Sequence, residues 1–93
     1  MSNYVITKYS FDKAKLLGLT IKVSTNPLKK LDVYKNDICI GSIGDSRYND
    51  YPHYCLIYNK EYGDKQKLLY HNRHKWNADV KYSKQWLSLN LLW

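Results

Sequence analysis

The segment Tyr70-His71-Asn72-Arg73-His74-Lys75-Trp76 is the densest run of side chains able to do chemistry: two histidines three residues apart, an arginine, a lysine and two large aromatic rings. Metal binding is one reading. His71 and His74 can reach a single ion, but zinc takes three or four ligands, and the soft partners left are His53 and two cysteines inside apolar runs, so no metal site and no cofactor are expected. A metal-dependent nuclease is another, since Asp50 with His71, Asn72 and His74 supplies a carboxylate, an amide and a base. No strand-borne histidine or flanking cysteine pair frames them, and no catalytic residue is assigned. The third reading is a phosphate grip. Lys65, Lys67, Arg73 and Lys75 with Tyr70, His71 and His74, helped by Arg47, combine cations for a phosphate backbone with rings on which bases stack.

A mechanical role competes with all three. Asp50, Arg73 and His74 are expected to form a structural polar cluster joining the loop before Pro52 to the third helix, because a guanidinium packed between elements takes a carboxylate partner. Nucleophile-elbow, P-loop and dinucleotide fingerprints are missing; Gly41 and Gly44 are too close together and no helix follows them.

These residues need elements to carry them. Tyr4 to Tyr9 alternates and is rich in β-branched and aromatic residues, which predicts a strand, with Ser10 capping a short helix from Phe11 to Leu17 and Gly18 closing it. Leu19 to Ser24 alternates again, with Leu19, Ile21 and Val23 on one face. Leu31 to Lys35 and Ile38 to Ile43 form a hairpin across Asn36-Asp37, a pair that tolerates positive φ. Asp50 and Pro52 start a second helix running to Tyr62, which Gly63 caps; Asp64 starts a third, Lys65 to Trp76, with Leu68, Leu69 and Trp76 on its apolar stripe and Lys67, Tyr70, His71 and His74 opposite. A last helix, Ser83 to Leu92, closes the core with Trp86, Leu89, Leu92 and Trp93. The plan is α+β: a small antiparallel sheet of three or four strands packed by three or four short helices, mostly from the C-terminal half, in one compact domain spanning residues 1–93.

Charge points outward to partners. Fifteen Lys and Arg against eight Asp and Glu leave +7, a field that attracts a polyanion, either nucleic acid or an acidic protein surface. Thirteen of the fifteen cations are Lys, which suits backbone contact better than base readout. No apolar run has signal-peptide or membrane-span length, so no membrane partner is expected and the compartment reads as cytosolic or nuclear, with Cys39 and Cys55 as buried thiols.

Several blocks occur together: Lys29-Lys-Leu-Asp-Val-Tyr-Lys-Asn36, Ser42-Ile-Gly-Asp45, Tyr48-Asn-Asp-Tyr-Pro52, Tyr70-x-x-Arg73-His74 and Leu91-Leu-Trp93. In this order the chain, from Tyr4 onward, resembles a small basic domain encoded by large DNA viruses of algae and amoebae and by some large bacteriophages. The resemblance implies a viral origin, a location in host cytoplasm, nucleus or virion, and a compact fold, with no reaction attached. It singles out Tyr48 to Pro52 and the pair Arg73 and His74. The chain departs from it at Gln66-Lys67, where two arginines are usual, and at Lys81 to Lys84, which lacks the usual glycine step. The combined expectation is a non-enzymatic viral accessory or virion-associated protein that binds nucleic acid through a basic, aromatic helix face. The alternatives are a protein-interaction module, as a minor capsid subunit or an inhibitor of a host defence complex, and the metal-dependent nuclease.

Overall fold

The computed structural model describes residues 4–75 and 79–93. Along the chain, the elements are α1 (Lys8–Leu17), β1 (Thr20–Val23), β2 (Lys29–Lys35), β3 (Ile38–Asp45), α2 (Tyr51–Ile57), α3 (Lys60–His74) and α4 (Lys84–Leu91). Among the described residues these make a three-stranded antiparallel sheet in the order β1-β2-β3 and four helices, most of them in the C-terminal half: an α+β domain. No helix among them is long and apolar enough to cross a membrane.

The first expected strand is not one. Tyr4 to Thr7 is extended, with Val5 outward and Tyr4 and Ile6 packed on the core, so the alternation is real, but the segment pairs with no sheet edge. Thr7, not Ser10, caps α1 by accepting from the Ser10 backbone N–H. Ser10 lies inside the helix, buried, and its hydroxyl donates to the Leu91 carbonyl at 2.7 Å, tying α1 to α4. Gly18 ends α1 as expected, at φ 70°.

The hairpin follows from local chemistry. Asn36 and Asp37 hold φ of 51° and 65°, both left-handed, as a two-residue turn matching the strand twist requires. Ile21 pairs with Val33 and Leu31 with Ile43, which sets one apolar face against Leu87, Leu91 and Leu92 of the C-terminal region. Asp32, buried where the β1–β2 turn folds over the sheet, accepts from Ser24, Ser42 and the Thr25 N–H. Cys39 and Ile38 sit exposed beside the hairpin tip, so Cys39 is not the buried thiol expected; Cys55 is half-buried, and both are free.

The helical half is cut differently from the sequence expectation. α2 begins at the Asp50 cap with Pro52 in its first turn but ends at Ile57, because Asn59 accepts from the Tyr62 N–H and starts a new helix. Gly63 is therefore not a cap: it lies within α3, where its missing side chain lets the helix press against Cys55 of α2. The Trp76 end of the expected third helix lies outside the described residues.

α3 also faces the other way. Leu68 and Leu69 are 62% and 50% exposed, while Gly63, Gln66, Lys67, Tyr70, His71 and His74 turn toward the protein. Ring area explains the inversion: Tyr70 buries one large face on Trp93, more contact than a leucine offers, while its hydroxyl keeps a polar partner. On α4, Leu87 and Leu91 are the most deeply buried, Leu89, Leu92 and Trp93 join them, and Trp86 is half-buried.

Candidate functional site

Asp50 anchors the region. It is fully buried, and its carboxylate accepts from Lys30 Nζ at 3.1 Å, the Tyr4 hydroxyl at 2.6 Å and the His53 N–H at 3.2 Å, with His53 Nδ1 at 2.7 Å. Burial opposes its ionisation, but the Lys30 charge and the bonds from Tyr4 and His53 outweigh that and hold the carboxyl below its ordinary range. Burial likewise pulls the Lys30 ammonium down against the attraction of Asp50, and burial with the adjacent carboxylate pushes the Tyr4 phenol far up. Gly44, at φ 80°, makes the arrangement possible, since any side chain there would strike Leu92 and the stem of Lys30.

The expected cluster of Asp50 with Arg73 and His74 is thus corrected: among the described residues the cation bound by Asp50 is Lys30. Arg73 and His74 instead line a cleft of about 510 Å³ whose floor includes Lys30. Tyr48 and Asn49 line the same cleft, so the first two residues of the Tyr48–Pro52 block and the Arg73-His74 pair share it. The volume lies within the roughly 300–1,000 Å³ typical of ligand pockets.

Rings build one wall. Trp93 stacks on Tyr70 at 4.1 Å and 6° between planes, and Tyr70 lies 4.2 Å from His74 at 34°. Gln85 of α4 donates to the Tyr70 hydroxyl at 3.2 Å, and His71 Nε2 lies 3.1 Å from the Trp93 carbonyl oxygen, fixing the column at both edges. The Arg73 guanidinium stands 6.0 Å from the Tyr70 ring centre. Burial, then the Arg73 charge, lowers the pKa of His74 below the ordinary histidine value, so at neutral pH it presents an uncharged ring.

The remaining candidates scatter. Lys65 and Lys75 are exposed on the outer side of α3. Lys67 turns away from the cleft to the rings of Tyr9 and Tyr51, 5.8 and 4.7 Å from their centres. Arg47 holds Asp45 through Nε at 3.0 Å and Nη2 at 2.8 Å, and these bonds bring the Asp45 carboxyl down to about 2. The basic face expected on one side of α3 is therefore three surfaces, of which the cleft keeps Tyr70, Arg73 and His74.

The nuclease constellation is not assembled, because Asp50 is sealed with Lys30, Tyr4 and His53, and Asn72 faces solvent. Among the described residues no three His, Cys, Asp or Glu side chains converge as metal ligands. Sequence reasoning missed Lys30, Tyr4 and His53. His53 was legible, three residues after a capping Asp50, whereas Lys30 sat in a Lys-Lys pair that reads as a strand break. Family models, curated proteins and solved structures were each compared with the chain, and none matches it.

Proposed function

We propose that this domain is a non-enzymatic module that binds single-stranded nucleic acid, taking an unpaired base into the cleft and its phosphate against Arg73. The observation that carries this reading is the ring column ending beside an arginine. Trp93 is buried at one end, so a further ring adds at the His74 end, next to a guanidinium with no carboxylate within 4 Å among the described residues. A neutral imidazole is a better stacking surface for a base than a charged one that must be desolvated. Tyr48, exposed and lining the same cleft, supplies a further ring, and the net charge of +7 supplies the long-range attraction. In the viral setting that the family resemblance implies, this is an accessory or virion-associated protein acting on the genome or its transcripts.

The test is fluorescence anisotropy with labelled single-stranded DNA, RNA and duplex DNA from about 50 to 200 mM salt. Single strands bind more tightly than duplex, with log affinity falling linearly in log salt, and His74→Ala or Tyr48→Ala loses on the order of 1–3 kcal/mol. Equal binding of duplex, or a salt-independent affinity, refutes the reading.

One observation favours a second reading as a protein-interaction module: Leu68 and Leu69 are exposed on the outer side of α3. If a protein partner docks there, Leu68→Lys with Leu69→Lys removes it and leaves nucleic-acid affinity intact.

A further inference from the structure

Beyond the cleft, α4 leads to a second group of cations and rings. Tyr82, just before the Ser83 cap, holds φ of 66°, a left-handed conformation that is costly outside glycine and asparagine. Two lysines from different parts of the chain stand over its ring: Lys35 Nζ is 4.2 Å and Lys81 Nζ 5.2 Å from the ring centre. Trp86, one turn into α4, meets the same ring edge-on at 5.2 Å and 66°. Lys84 runs its stem over the bare backbone of Gly41. Among the described residues none of these three lysines has a carboxylate within 4 Å, so two like charges are gathered on one ring with no anion to balance them.

This group is joined to the cleft. Gln85, the neighbour of Trp86, donates to the Tyr70 hydroxyl, so a single residue separates the ring column from the Tyr82–Trp86 pair. We infer that the strand bound in the cleft continues across Gln85, setting a second base on Trp86 and the phosphate between the two bases against Lys35 and Lys81. The inference rests on the cleft reading and extends it from one nucleotide to a track. Two uncompensated ammonium groups gathered at one ring suit a phosphodiester anion, and the half-buried indole offers the larger stacking surface of the two rings.

The experiment compares a thymidine mononucleotide with oligothymidylates of roughly 4 to 16 nucleotides, the span over which single-strand sites fill. For the longer strands, Lys35→Gln with Lys81→Gln lowers the salt slope by about 0.7, the share of the one phosphate the pair neutralises. Trp86→Leu weakens them about 5- to 150-fold, Trp86→Phe restores most of the loss, and mononucleotide affinity is unchanged in every variant. The lysine pair is exposed, so its variant remains informative if Trp86→Leu unfolds the domain. Wild-type affinity and slope in these variants, or an equal loss on the mononucleotide, overturns the track while Arg73→Gln still reports on the cleft. Failure of the wild-type chain to bind any oligonucleotide overturns both.

Discussion

Replacing Asp50 by Asn isolates the worth of the buried ion pair. Asparagine caps a helix as well as aspartate does, its oxygen keeping the His53 N–H, while its amide nitrogen takes the place of Oδ2 and donates to a rotated Tyr4 hydroxyl, so the change removes chiefly the charge. It leaves the Lys30 ammonium, whose side chain is 4% exposed, without a counter-charge. Stranding one member of a buried pair costs about 3–5 kcal/mol. A 93-residue domain holds roughly 5–14 kcal/mol in total, so the variant folds with a thin margin. At about 4–8 °C per kcal/mol, its midpoint drops by on the order of 12–40 °C. Urea and thermal unfolding followed by far-UV circular dichroism measure this directly. Adding Lys30→Met removes the stranded charge and recovers most of the loss, because a buried pair exchanged for apolar packing is often neutral. A cost under about 1 kcal/mol for Asp50→Asn, or a double variant as unstable as the two single losses summed, refutes the reasoning.

Gly63→Ala tests the α2–α3 crossing: a methyl at this position collides with Cys55 Sγ, so stability falls by about 1–3 kcal/mol although alanine favours helix by about 1 kcal/mol. Cys55→Ala in the same chain restores the melting midpoint, and a Gly63→Ala variant at least as stable as the parent contradicts the close approach. Acid titration tests the buried carboxylates. Asp50 and Asp32 both titrate below the unfolded value of about 3.9, so on acidification the unfolded chain takes up protons first. The stability they confer is complete above about pH 4–5 and is lost as pH falls through the folded values; a denaturation midpoint flat from about pH 5 to 2 contradicts this.

Local chemistry was legible and long-range geometry was not. Gly18, Asn36-Asp37, Asp50 and Ser83 were readable because each serves a turn or cap whose demands involve only its neighbours. Three local signals misled, the first being Ser10, which reads as the cap that Thr7 supplies. Gly63 reads as a stop until α2 is known to cross it, and Asn59 was a cap hidden inside an apparently continuous helix. The orientation of α3 was lost because a count of apolar residues puts Leu68 and Leu69 inward, whereas the rings of Tyr70 and Trp93 decide the packing. Of the candidate site, Tyr48, Arg73 and His74 were named in advance and do share one cleft. Lys30 was out of reach, since nothing within its strand shows that Gly44 opens a path for it to Asp50, twenty residues away.

Anisotropy of a labelled single strand titrated with the wild-type chain and with Arg73→Gln, each across about 50 to 200 mM salt, probes the cleft most directly. Salt-dependent binding by the wild type, with a slope smaller by about 0.7 and a weaker affinity in the variant, is the predicted result. Identical curves for the two proteins, or no binding by either, would contradict it.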